Sequence, residues 1–306
     1  MAIFESLLQM ILLVAAGVLW RILQPGKLSV ETVRTVLTEL VFYLLLPALV
    51  LRVLWLAPLG LDSLRISGVA VSSILAGMLI SWIVCRSCAQ ERRVTGAVIL
   101  ASAFGNVTYL GLPVLVATLG DWAASVAIQF DLFASTPLLF TVGFFIAAHF
   151  GSAREHLHPL KQLLHIPPLW VAVLAVALNA AAVPLPHLFE QTLDMLGKAV
   201  IPLMLLALGM NLQAGSLVKK KLPAVMLVAV IQLVILPLMV WGVSALLGIS
   251  GELQLALVLE GAMPSMVLGL MVCERYNLDT GLYAAAVTVS TLLSVLTLPF
   301  WYLWLQ

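Results

Sequence analysis

Ten stretches of roughly 20 mostly apolar residues, each long enough at about 1.5 Å per residue to cross a hydrocarbon layer, account for almost all of this 306-residue chain. They run Ile3 to Leu23, Thr35 to Leu54, Ile66 to Val84, Val94 to Leu119 and Ala123 to Phe150, then Pro167 to Val183, Leu193 to Leu212, Leu222 to Leu247, Leu253 to Glu274 and Thr280 to Trp304. Helices apolar all round are rejected by water and accepted by lipid. With 63% hydrophobic and 9% charged residues, too little charge remains to build a soluble surface. The expected class is an all-α membrane protein of ten transmembrane helices.

The placement of charge gives an independent check on that count. Connections after odd-numbered stretches hold 12 Lys and Arg, among them Arg21, Arg34, Arg86, Arg92, Arg93, Arg154, Lys161, Lys219, Lys220, Lys221 and Arg275. Those after even-numbered stretches hold only Arg52, Arg65 and Lys198. Positive loops stay inside, so the odd connections are expected in the cytoplasm, with both termini outside an inner or plasma membrane. The first stretch makes a poor secretory signal: its start carries Glu5 and no Lys or Arg, and no small-residue cleavage site follows before Trp20 and Arg21.

The one long polar connection, 151–166, carries Arg154, Glu155, His156, His158, Lys161 and His165. It divides the chain into five stretches (1–150) and five (167–306). An odd number of spans per half inverts the second half relative to the first, the plan of many secondary transporters. A shift of 159 residues sets Ala97–Asn106 beside Ala256–Ser265, and prolines recur in matching stretches: Pro47 with Pro202, and Pro137 with Pro299. The expected architecture is two inverted five-helix repeats joined by a cytoplasmic linker.

Two stretches are interrupted in corresponding places. The fourth contains Gly105, Asn106, Val107, Gly111 and Pro113; the ninth contains Gly261, Met263, Pro264, Ser265 and Gly269. Gly, Asn and Pro are poor helix-interior residues. Asn106 and Pro264 each lie roughly 18 Å along their stretch, so both breaks are expected near the midplane. Peptide groups freed there must face protein, water or a ligand, and the start of a resumed helix favours an anion. The expected solute-binding residues are Gly105, Asn106, Val107, Gly111, Pro113, Met263, Pro264 and Ser265.

An ionisable group within hydrocarbon costs roughly 2.5–3.5 kcal/mol on insertion scales, so each calls for a reason. Glu260 in the ninth stretch and Asp131 in the fifth fall at similar depth. Both are expected to couple transport to H⁺ or Na⁺. No resident cofactor or metal is expected, because Cys85-x-x-Cys88 lacks a His partner and His149, His156, His158 and His165 follow no ligand spacing. Gln129, Asn179, Asn211 and Gln232 are expected to join helices. The Asn106-Val107-Thr108 sequon lies too deep in the membrane to be glycosylated.

Four segments resemble the auxin efflux carrier family, bacterial branch, within a wider group that includes bile-acid sodium symporters. They are Leu40 to Ala48, Phe104 to Pro113, Ile201 to Gly209 and Ala262 to Tyr276, in order and spanning both halves. The resemblance implies a scaffold domain and a transport domain, with the broken helices crossing in the latter. It implies an organic-anion substrate: auxin in plants, malate or malonate in some bacterial relatives. The family's carboxylate-contacting Asn matches Asn106, whereas Ser265 and Met266 stand where plant members place another amide. The expected function is alternating-access carriage of a mono- or dicarboxylate, the scaffold being built from stretches one, two, six and seven. The alternative is a sodium-coupled symporter of a neutral or sterol-like solute. An intramembrane enzyme fits poorly, with no H-E-x-x-H, G-x-S-x-G or phosphate-binding Gly-Lys motif; a channel or receptor is the other rival. The expected partners are the solute, the lipid bilayer and a second copy through the scaffold helices, with no nucleic acid.

Overall fold

A computed structural model describes residues 2–152, 164, 166–211 and 221–306, with side chains from Leu8 onward. The described residues are helical throughout, apart from connections and one isolated bridge. The histidine-bearing part of the linker (Arg154, Glu155, His156, His158, Lys161, His165) and Lys219 and Lys220 lie outside them.

The helices are α1 (Ala2–Leu23), α2 (Val30–Leu56), α3 (Leu61–Ser87), α4 (Arg92–Ala103), α5 (Val107–Leu119), α6 (Ala123–Phe150), α7 (Pro167–Ala180), α8 (His187–Asn211), α9 (Leu222–Leu246), α10 (Gly251–Gly261), α11 (Gly269–Arg275) and α12 (Thr280–Leu305). Among the described residues, six are long and apolar enough to cross a membrane: α2, α3, α6, α8, α9 and α12. The fourth apolar stretch is the pair α4 and α5, and the ninth is α10 and α11. Both interruptions expected from Gly, Asn and Pro are present.

Polar caps start two of the spans. Ser29 Oγ accepts the Thr32 N–H at the start of α2, and Asp279 does the same for Leu282 at the start of α12. Proline shapes the interiors. In α2, α5, α6 and α9 a five-residue π-helical turn ends two residues before a proline: Val41–Leu45 before Pro47, Val107–Gly111 before Pro113, Asp131–Ser135 before Pro137 and Ile231–Ile235 before Pro237. Proline lacks an N–H and crowds the carbonyl four residues back, and the wider turn relieves that crowding. In α9 the crowded carbonyl is that of Leu233, and the buried Trp301 indole donates to it at 2.8 Å.

The chain packs into two compact units. The first takes the described residues of Met1–Ser63, Thr108–Ile128 and Leu163–Leu212, so it holds α1, α2, α7, α8 and nearly all of α5. Within it α1 lies against α8, and α2 against both α7 and α8. The α1–α8 crossing depends on paired glycines: a Cβ on Gly17 would collide with the Leu206 carbonyl, and one on Gly209 with that of Val14. Such small-residue contacts let membrane helices approach backbone to backbone. The amides foreseen as joints act as joints here. Asn179 Nδ2 donates to the Trp55 and Ala57 carbonyls, and Asn211 accepts from Arg34.

The second unit takes the described residues of Leu64–Val107, Gln129–Gln162 and Gln213–Gln306: most of α3 and α6, with α4 and α9 to α12. Its core gathers Ile99, Leu100, Phe104, Leu139, Leu282 and Tyr283. Both breaks, Phe104–Asn106 and Ala262–Leu268, lie inside this unit.

Candidate functional site

The two interruptions meet and pair. Gly105 and Ser265 form an antiparallel bridge, in which the Asn106 N–H donates to Pro264 O at 2.7 Å and the Met266 N–H to Phe104 O at 2.9 Å. Each break therefore satisfies part of the backbone polarity released by the other, which is how irregular chain can survive away from water. The sequence pointed to freed peptide groups but not to this mutual pairing.

Side chains of the break and of neighbouring helices add further bonds. Ser265 Oγ donates to Ala101 O at 2.7 Å, occupying a carbonyl at the frayed end of α4, and the Ser265 N–H donates to Ser290 Oγ on α12. Tyr283 Oη donates to Met266 O, and Gln232 Nε2 donates to Met263 O, both at 2.9 Å. Gly105 suits this closeness: a Cβ there would stand 2.9 Å from Gln232 Nε2, the movable end of its side chain, and 3.3 Å from Met263 O. Gly269 is required more strictly, because a Cβ would strike the Tyr283 ring.

Against that background, some buried polar atoms have no hydrogen-bond partner among the described residues. In the second unit they include Asn106 Nδ2, both carboxylate oxygens of Glu260, Gln232 Oε1 and the hydroxyls of Ser102, Ser135 and Thr291, with Thr297 Oγ1 further along α12; in the first unit they include Arg52 Nε. Asn106 is 2% exposed, Glu260 1% and Gln232 2%. An unmet buried polar group costs about 1–3 kcal/mol, and more if charged. Five of the first six of these residues stand on the breaks or on the helices α4, α9, α10 and α12 that pack around them; Ser135 stands on α6. Asp131 opens the π turn of α6 and accepts from Thr136 Oγ1 at 2.8 Å.

Of the expected site residues, Gly105, Asn106, Met263, Pro264 and Ser265 are brought together at the bridge. Val107 follows directly and is buried. Gly111 and Pro113, also buried, end the π turn and open the α-helical part of α5, which packs in the first unit. Pro264 and Ser265 use backbone and hydroxyl groups to hold the crossing itself. Gln232, foreseen only as a joint, does join α9 to the ninth-stretch break, and its oxygen is left over. The signal that marks it is Pro237, five residues on, which sets the π turn carrying it.

The same unit has a second polar cluster at the other end of α4. The Arg93 guanidinium donates to the Asn277 side-chain oxygen and carbonyl, Asn277 Nδ2 donates to Ser152 Oγ at 2.7 Å, and Lys221 pairs with Asp279 at 2.8 Å. Burial opposes ionisation of Asp279. The Lys221 hydrogen bond, the Leu282 N–H and the charges of Lys221 and Arg93 outweigh it and hold the carboxyl below its usual value. Among the described residues, no group of three or more His, Cys, Asp or Glu is arranged to hold a metal ion.

Residues 2–302 match the family model for membrane transport proteins. An uncharacterized transporter of Methanothermobacter thermautotrophicus is 30% identical over 301 residues, 97% of this chain and 96% of that protein. An uncharacterized transporter of Methanocaldococcus jannaschii is 29% identical over 67% of each chain. The uncharacterized transporter YfdV of Escherichia coli is 23% identical over 78% of this chain and 77% of its own length.

Proposed function

Because the chain belongs to the membrane transport protein family, that of the auxin efflux carriers, we propose that it is a secondary carrier of a small organic anion, a mono- or dicarboxylate. The observation that carries this reading is the buried Asn106 Nδ2. It is a hydrogen-bond donor without an acceptor, held where two broken helices meet, and a carboxylate oxygen is the acceptor that suits it.

The mechanism is alternating access across two inverted repeats, 1–150 and 167–306, with the bridge near the midplane and both termini outside an inner membrane. Two features support it. The Gly105–Ser265 pairing joins segments that the 159-residue shift sets side by side. The first packed unit holds the stretches expected of a scaffold, one, two, six and seven, while the second holds the crossing. A homodimer would form through the scaffold helices. Glu260 and Asp131 couple the cycle to a proton or sodium gradient: a carboxylate with both oxygens unmet must be neutralised by something that comes and goes.

Binding of malate, malonate and indole-3-acetate to the purified protein tests the reading. At least one should bind to saturation, and Asn106→Ala should remove that binding while the protein still melts cooperatively. Full-strength binding to Asn106→Ala would overturn the anion site. Cysteine labelling from either side of sealed vesicles tests the orientation of the two halves.

A further inference from the structure

Donors and acceptors at the crossing do not balance. Among the unpartnered buried groups, Asn106 Nδ2 is a donor, whereas Glu260 Oε1, Glu260 Oε2 and Gln232 Oε1 are acceptors. The hydroxyls of Ser102 and Thr291 could each donate, but neither reaches a Glu260 or Gln232 oxygen, so the excess stands. A carboxylate solute takes up the one donor and adds further acceptors. Something positive is needed to close the set.

The orientation of the Gln232 amide follows from its partner. Its nitrogen donates to Met263 O at 2.9 Å, and turning the amide over would set two carbonyl oxygens against each other, so Oε1 is the atom left without a partner. Met263 lies three residues after Glu260, just past the end of the eleven-residue helix α10. The carbonyl end of a helix carries partial negative charge and favours a cation. The fit is close, since Gln232 Nε2 would stand only 2.9 Å from a Cβ on Gly105 and Pro237 and Val240 of the same helix pack against Gly261. A proton could neutralise Glu260, but it would leave the Gln232 oxygen unmet. A larger cationic group can draw on several oxygens at once.

We propose that Gln232 is a ligand-contacting residue whose carboxamide oxygen, with the Glu260 carboxylate, receives a desolvated cationic group: a free alkali-metal ion or an ammonium carried by the solute itself. The proposal rests on the carrier reading and adds α9 to the residues that touch what is carried.

The test is thermal melting of the purified full-length protein in two arms. One exchanges NaCl for choline chloride at constant ionic strength; the other compares alanine with propionate, which lacks the ammonium. Wild type should be stabilised in one arm, with the half-effective concentration raised at least tenfold in Gln232→Leu and held or lowered in Gln232→Glu, which keeps an oxygen there. If Gln232→Leu does not fold, Gln232→Asn, which withdraws the amide by one methylene, serves the same comparison. Equal loss in Gln232→Leu and Gln232→Glu would mean that only the bond to Met263 matters, and would overturn the proposal. Indifference of wild type to sodium and to alanine would overturn it too. In that case carboxylate binding that still depends on Asn106 would leave the carrier reading intact.

Discussion

Replacing Glu260 by Leu should make the ligand-free protein more stable. The side chain is 1% exposed and neither oxygen has a hydrogen-bond partner, so in either protonation state two polar groups are buried unmet. At about 1–3 kcal/mol for each such group, less some misfit from the branched replacement, the substitution should return about 2–4 kcal/mol. Unfolding entropy near 2.1 cal/mol/K per residue makes about 0.6 kcal/mol per kelvin for a chain this long, so the melting temperature should rise by about 3–6 °C. The assay is thermal unfolding of wild type and Glu260→Leu in one detergent without solute, followed by transport after reconstitution. Higher stability together with lost coupling is the pattern of a residue kept for function. A fall in melting temperature would refute the reasoning, because it would mean that the carboxylate is already partnered in the resting protein.

Ser265→Ala should do the opposite, removing the donor to Ala101 O and costing about 1–3 kcal/mol of stability, with carboxylate affinity in the folded fraction changed less than threefold; paired melting and binding curves check it. Gly209→Ala drives a methyl into the Val14 carbonyl at the α1–α8 crossing and should cost about 1–3 kcal/mol, read as a lower melting temperature. Asp279→Asn should melt below wild type at pH 7. The Asp279 carboxyl is held below its usual value, so its contribution is present above the unfolded value of about 3.9 and is lost as pH falls through the folded value. The gap between the two melting curves should therefore close as the pH is lowered below about 4.

The helices were legible because lipid imposes a simple rule on sequence, and the breaks because Gly105, Asn106, Pro113, Gly261 and Pro264 are conspicuous inside apolar runs. The pairing of the breaks was not legible. It joins residues 160 positions apart through backbone atoms, which leave no mark on side-chain composition. For the same reason Ser265 could be listed as a binding residue on its chemistry alone, although its hydroxyl and N–H are both engaged in holding the crossing. Asn106 and Glu260 were legible because a polar group at such depth is costly whatever it touches. Gln232 was visible as a residue but not as a half-satisfied one, since only coordinates tell which end of an amide has found a partner.

Position along the chain adds a last step to the carrier reading. The backbone leaves the second unit for the first at Val107–Thr108, immediately after Asn106, and returns at Ile128–Gln129, shortly before Asp131. A π turn lies at or just beyond each passage, Val107–Gly111 and Asp131–Ser135, each set by a proline further on. Such turns hold fewer well-formed hydrogen bonds than an α-helix and are common where a helix must change its winding. If one unit moves against the other, these two passages are among the five places where the backbone must absorb that motion. Asn106, expected to hold the anion, and Asp131, expected to hold the coupling charge, then stand within three residues of those peptides, beside Thr108 and Gln129. Occupancy of the site and the state of the hinge would share the same few residues, which is the economy a coupled carrier needs. Pro113→Ala or Pro137→Ala, by letting the π turn revert to α, should then slow transport more than it weakens binding.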